Sequence, residues 1–261
     1  MDFINSEFFI IRPFNLMFFI MLAITAGMAF VIIKTNQNKT RAEKRRTIAI
    51  IYSLVLVYFV LYKVALYLDK DYSDICANAG VGAFSWWKEL PFQLCNINLI
   101  LIVVAMLTDN RPLTSFVFYM STIGAIFPLL TPAVGFSGYS ILLPRNLGYY
   151  ITHQFVLIEM PILAGLKLYR PRYSDIIPAA ITALVIALSI FVLNSLLRVT
   201  GLEPMANYFY LMNTDGNPIL DIFWKFIPVQ GLYVLPALPL IVLPYMLLLT
   251  WLFNLKKKKK K

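Results

Sequence analysis

The sequence predicts an all-α, polytopic membrane protein of seven transmembrane helices, with its N-terminus outside and its C-terminus in the cytoplasm. Three observations carry this expectation. Of 261 residues, 60% are apolar or aromatic and only 14% are charged, and the mean hydropathy is +0.74, whereas soluble domains run near half apolar and a quarter charged. Seven apolar stretches approach or exceed the roughly 20 residues a helix needs to cross a bilayer. Lys and Arg are also shared unevenly between alternate connecting segments, which sets orientation. Composition excludes a water-soluble enzyme, and the charge is no nucleic-acid signature. Six of the formal +10 charges are one terminal run, Lys256 to Lys261, which leaves +4 on the rest of the chain. Residues 1–255 therefore read as one seven-helix domain in the cell membrane. Residues 256–261 read as a basic cytoplasmic tail within reach of anionic lipid.

The first span runs from Phe14 to Ile33. Asp2 and Glu7 ahead of it give the wrong charge for a cleavable signal peptide, so it reads as retained. The second, Ile48 to Leu68, follows a segment rich in Lys and Arg. The third, Pro91 to Leu107, is the shortest and carries Gln93, Asn96 and Asn98; slight bilayer thinning accommodates it. Leu113 to Leu130, Leu147 to Leu166 and Ile176 to Leu197 follow. The last, Val229 to Leu255, contains Pro236, Pro239 and Pro244 and is expected to kink. Pro13, Pro91, Pro112 and Pro178 stand at or near helix starts, where a missing N–H costs nothing.

On one side, the connecting segments hold Lys34, Lys39, Arg41, Lys44, Arg45, Arg46, Arg111, Lys167, Arg170 and Arg172. Opposite them stand only Arg12, Lys70, Lys88, Arg145, Arg198 and Lys225, spread over far more residues. The longer loops, Asp69 to Leu90, Thr131 to Asn146 and Arg198 to Pro228, are then all external. Gly135 to Ser140 lacks the alternate spacing of a nucleophile elbow, and Ala79 to Phe84 is too poor in glycine for a dinucleotide loop. Both read as connectors.

Polar groups inside a span each ask for a reason, since the charged types cost about 2.5 to 3.5 kcal/mol on insertion scales. Lys63 lies near the outer end of the second span, from where its stem can snorkel to the interface. Glu159 lies deeper in the fifth span, either as a hydrogen-bonded structural group or as part of a proton-coupled path. Cys95 and His153, the latter the only histidine, fall roughly 6 to 9 Å below the outer surface at 1.5 Å per residue. Matched depth permits the contact that a cysteine nucleophile and a histidine base require.

Other roles stay open at this point. A buried Cys is often a small apolar filler, a membrane His often joins helices, and Cys76 in an outer loop is positioned to pair with Cys95 as a disulfide. One His and two Cys make no metal-ligand spacing, and no cofactor motif is present. Asn98 stands one turn from Cys95 on the same face, where it can orient the site or donate to an oxyanion. Tyr149 and Tyr150 lie one turn before His153. Gln93, Asn96 and Gln154 belong to the same polar cluster or bind neighbouring helices. Glu159 lies about 120° around the helix from His153, the wrong direction for orienting its ring.

Three segments bear a family likeness. Leu90-Pro91-Phe92-Gln93-Leu94-Cys95-Asn96 resembles the Leu-Pro-x-x-Leu-Cys segment of the bacterial YwaF family of integral membrane proteins. Ile151-Thr152-His153-Gln154 is similar to that family's histidine-bearing helix. Asn207-Tyr208-Phe209-Tyr210-Leu211-Met212 is similar to its Asn-Tyr-x-x-Leu segment. The likeness covers roughly Leu90 to Leu248. The family is related to the eukaryotic transmembrane protein 164 family of acyltransferases, which move fatty acyl chains between phospholipids. The resemblance implies Cys95 as acyl-bearing nucleophile, His153 as base, and a phospholipid or lysolipid substrate; the Pro-rich breaks of the last span and the loop of Asn207 and Tyr208 are then the candidates for a lid or lipid gate. The alternative is a transporter or solute-binding membrane component with Glu159 and the kinked last helix in the substrate path.

Overall fold

In the computed structural model, which describes residues 6–258, the expected apolar stretches become helices whose ends are set by identifiable caps. Asn15 opens α1 (Leu16–Asn36) by accepting from the Phe18 N–H, and Thr40 opens α2 (Arg41–Leu68) in a reciprocal capping box with Glu43. First-turn N–H groups have no acceptor within the helix, so such side chains define where it begins. α2 therefore starts ahead of the expected Ile48, inside the basic segment. Asp69 caps the short α3 (Lys70–Asn78), and Asn110 caps α5 (Arg111–Leu130). The others are α4 (Leu94–Thr108), α6 (Pro144–Gly165), α7 (Ile176–Val199), α8 (Pro218–Phe226) and α9 (Leu243–Lys258).

Among the described residues, five helical segments are long and apolar enough to cross a membrane: Leu16–Asn36, Arg41–Leu68, Arg111–Leu130, Tyr173–Val199 and Leu238–Leu255. Leu94–Thr108 is a shorter apolar helix. The chain is an all-α, multi-pass membrane protein. Ile177, Ile181, Val185, Leu188, Val192 and Leu196 form one exposed stripe along α7, a surface that suits lipid and would be a liability in water.

α6 is the exception that organises the rest. It packs against α1, α2, α4 and α5 and buries Arg145, Asn146, Thr152, His153, Gln154 and Glu159. Polar side chains in a bilayer must find protein, so the helix carrying most of them lies at the centre. Gly148 on α6 lets α2 approach closely: a Cβ there would fall 2.1 to 2.7 Å from atoms of Tyr62.

Several expectations are corrected. The third span begins at Leu94, since Leu90 to Gln93 form a turn closed by the Phe92 N–H on the Leu90 carbonyl. Cys95 is thus the second residue of its helix. The last span is helical only from Ala237: residues 229–236 are a bend and turns, and a π-helical segment, Leu238–Val242, precedes α9, as Pro236, Pro239 and Pro244 break the regular ladder. Lys63 does not end free: it is 12% exposed and pairs with Glu89 of the outer loop at 2.5 Å. Cys76 and Cys95 are both free thiols, so the disulfide is not formed. The outer loops are also less plain than expected, containing α3, α8 and a two-residue antiparallel ladder of Ile10–Ile11 with Tyr139–Ser140. Asp2 and Lys259 to Lys261 lie outside the described residues.

The three long loops meet at one end of the bundle. Arg145 pairs with Asp69 at 2.8 Å, the Tyr208 hydroxyl donates to the Trp87 carbonyl, and Phe136 packs on Tyr72. Cys95, at the start of α4, belongs to this end.

Candidate active site

α4 begins without a side-chain cap, because Gln93 makes none. Its Oε1 instead accepts from the Phe209 N–H at 3.1 Å, tying the loop of Asn207 and Tyr208 to the start of α4. The N–H groups of Leu94, Cys95 and Asn96 are thus first-turn donors with no acceptor in the helix, and Cys95 sits in the positive field of the helix N-terminus. Its thiol donates to Asn96 Oδ1 at 3.6 Å.

His153 reaches the same place from α6. The side chains of Cys95 and His153 are in contact, and both are buried. His153 Nδ1 lies 2.7 Å from the Tyr149 carbonyl oxygen. A carbonyl only accepts, so Nδ1 carries the proton and Nε2 keeps its lone pair, the form a general base requires. The Tyr149 ring packs on the imidazole, with centroids 4.3 Å apart, and on its far side stacks against Phe136. Its hydroxyl donates to the Pro128 carbonyl at 2.8 Å, fixing the turn of α6 from which His153 hangs.

Asn98 is fully buried, and neither its amide nitrogen nor its oxygen has a hydrogen-bond partner. Leaving such a group unpaired costs about 1 to 3 kcal/mol, so a donor stands ready beside Cys95 with nothing to donate to. Gly124 on α5 explains how it fits. A Cβ there would lie 3.3 Å from Leu94 Cγ, 3.4 Å from Asn98 Nδ2 and 3.5 Å from the Cys95 backbone nitrogen, so the absence of a side chain at Gly124 lets α5 pack closely against the start of α4. Lys63, with its partner Glu89, is within electrostatic reach of both Cys95 and His153.

The remaining expected residues divide. Gln93, Asn96, Asn98 and Tyr149 gather around Cys95 and His153. Tyr150 turns away, its hydroxyl donating to the Phe136 carbonyl at 3.2 Å. Gln154 is buried with its carbonyl oxygen unpartnered. Asn207 is the hub of its own loop, bonded to Asn213 and Asp215, while Tyr208 is clamped by Asn194 of α7 through bonds of 2.9 and 3.0 Å. Glu159 is fully buried, and both its oxygens lack partners. Sequence reasoning missed Gly124, Gly148 and Glu89. A glycine inside an apolar helix signals close helix approach, which marks the first two; nothing local marks Glu89 as the partner of Lys63. Among the described residues no group of three or more His, Cys, Asp or Glu side chains is placed to hold a metal.

A contacting thiol and imidazole at a helix N-terminus, with the unpaired Asn98 amide alongside, can perform nucleophilic acyl chemistry. No curated protein and no solved structure matches the chain. The family model of the TMEM164 family matches residues 10–253. That range takes in α4, α6 and the loop between α7 and α9, the same three segments that carry the likeness read in the sequence, and the chain belongs to the TMEM164 family.

Proposed function

We propose that this membrane protein is an acyltransferase moving fatty acyl chains between phospholipids or lysolipids through a thioester on Cys95, with His153 as base. The contact between Cys95 and His153, together with the Tyr149 bond that leaves Nε2 unprotonated, is the observation that carries the reading. His153 Nε2 takes the thiol proton, and the thiolate attacks the ester carbonyl of the donor lipid. The developing oxyanion is met by the Cys95 N–H and the Asn98 amide. Collapse breaks the ester bond, and His153 returns its proton to the departing lysolipid oxygen. The acceptor hydroxyl then gives its proton to His153 and attacks the thioester, and Cys95 leaves as a thiol.

The same reading gives the chain seven crossings, α1, α2, α4, α5, α6, α7 and the helix ending in α9, with residues 1–255 as one domain. The Lys and Arg distribution supports a cytoplasmic C-terminus and a site facing the outer leaflet. Gln93 and Tyr208 hold the Asn207 loop over Cys95 as a lid. The experiment is mass spectrometry on purified protein incubated with phosphatidylcholine. Acyl-Cys95 is expected in wild type and absent in Cys95→Ala, and normal transacylation by Cys95→Ala would sink the proposal.

The transporter reading keeps one specific support, the buried and unpartnered Glu159 carboxyl. Solute flux into liposomes that depends on Glu159 and survives Cys95→Ala would favour it.

A further inference from the structure

At the end of the bundle away from Cys95, the segment joining α6 to α7 folds over the starts of α2 and α5 and the end of α9. It leaves a cavity of about 280 Å³ whose lining includes Arg41, Arg111, Lys167, Arg170, Arg172 and Asn254. Five cations therefore share one concave site. Arg41 pairs with Asp109 at 2.8 Å and Arg111 with Asp175 at 2.6 Å. The side chains of Lys167, Arg170 and Arg172 form no salt bridge among the described residues, although the Arg172 backbone N–H donates to Asp175 Oδ2 at 2.9 Å. Arg170 donates to the Phe253 carbonyl at 2.7 Å, which fixes the side chain without neutralising it.

Lys167 gives the site a second, independent mark. α6 ends with the Leu168 N–H on the Leu163 carbonyl and the Lys167 N–H on the Ala164 carbonyl, a termination that places Lys167 in the left-handed region at φ 57°. Glycine is the usual residue there because a side chain is strained. That turn brings a lysine to the wall of a cavity that is already strongly basic, a repulsion that an anion in the space offsets.

We propose that this pocket binds a phosphate group, and that its usual occupant is the headgroup phosphate of an anionic phospholipid. Guanidinium forks match phosphate oxygens in pairs. The pocket also lies where headgroups lie, at the helix ends, with exposed Tyr173 and Ile177 beginning the apolar face beside it and the basic residues directly beyond. The site is separate from Cys95 and His153 and does not depend on the acyltransferase reading.

The test uses full-length protein in nanodiscs of phosphatidylcholine doped with phosphatidic acid, with retained lipid identified by native mass spectrometry. Wild type is compared with Lys167→Gln/Arg172→Gln, which removes two cations and no ion pair. Both proteins keep the lysine tail, so the difference reads the pocket. Loss of about tenfold or more in the preference for phosphatidic acid is expected in the double variant. Lys167→Gly guards against misfolding, since relief of the strained backbone should raise Tm in lipid-free detergent while phosphatidic acid retention falls. Inorganic pyrophosphate forms the second arm. If it raises the Tm of wild type alone and displaces the lipid, the phosphate is taken from solution as well; if it does neither, the occupant is the lipid. Equal phosphatidic acid retention by wild type and both variants, with no response to pyrophosphate, overturns the proposal.

Discussion

His153 Nδ1 is bonded to the carbonyl oxygen of Tyr149, one turn earlier on α6, at 2.7 Å. That single contact selects the tautomer, because the oxygen has no proton to offer. As the chain has one histidine, ¹⁵N-histidine labelling should return one ring, with a protonated Nδ1 and an unprotonated Nε2 in the resting protein. His153→Ala should lower acyl transfer by about 10²- to 10⁴-fold in a lipid transacylation assay. A rate within threefold of wild type would remove His153 from the chemistry.

Asn98→Leu should separate stability from activity. Its buried amide has no partner, so an apolar side chain of similar volume removes an unpaired polar group and should hold or raise Tm. Acyl transfer should fall about 10²-fold or more if the amide serves the oxyanion. Tm and rate falling together would mean a purely structural role.

Lys63 and Glu89 form a pair 12% and 13% exposed. Removing one member leaves a largely buried charge uncompensated, so Glu89→Gln should cost on the order of 3 kcal/mol. Lys63→Met in the same chain should recover much of that cost. Guanidinium or heat denaturation of the two single variants and the double variant in detergent measures the coupling; additive losses would mean that the contact carries no net energy.

Gly148→Ala places a methyl within 2.1 to 2.7 Å of Tyr62 atoms, the Tyr62 Cβ among them. The tyrosine cannot swing its own Cβ aside, so α2 and α6 must separate, at about 1 to 3 kcal/mol. A Tm several degrees below wild type is expected, and an unchanged Tm would show that the two helices are not held at this spacing.

Asp109, at the turn between α4 and α5, has its carboxyl pKa lowered by the hydrogen bond from Arg41 and by the nearby Arg45 charge. A folded-state pKa below the unfolded value contributes stability that is present above the unfolded pKa and lost as pH falls through the folded one. The Tm gap between wild type and Asp109→Asn should therefore be constant above about pH 5 and close towards pH 2. The pair is exposed, so the gap should also shrink in high salt.

Much of this molecule was readable before any coordinates. Ile176 to Leu197 emerged as α7 and Leu113 to Leu130 as the greater part of α5 because apolar content over twenty residues is a local property. The irregular last span followed from three prolines. The turn before Cys95 is not legible in sequence because Pro91 tolerates either a helix start or an extended turn, and the tertiary bond from the Phe209 N–H to Gln93 Oε1 selects the second. The partner of Lys63 is not legible in sequence, because Glu89 lies in a loop whose path no periodicity describes.

Two different kinds of information meet at Cys95. That the chain lives in a membrane is legible in the sequence alone, since partition between lipid and water depends on composition summed along one segment. The approach of Cys95 and His153, the Tyr149 carbonyl on the Nδ1 proton and the close packing of Gly124 against the unpaired Asn98 amide come from tertiary structure alone. Those facts depend on the rotation of each helix about its axis and on close packing between helices distant in sequence, and the bilayer, equally apolar in every direction, supplies neither.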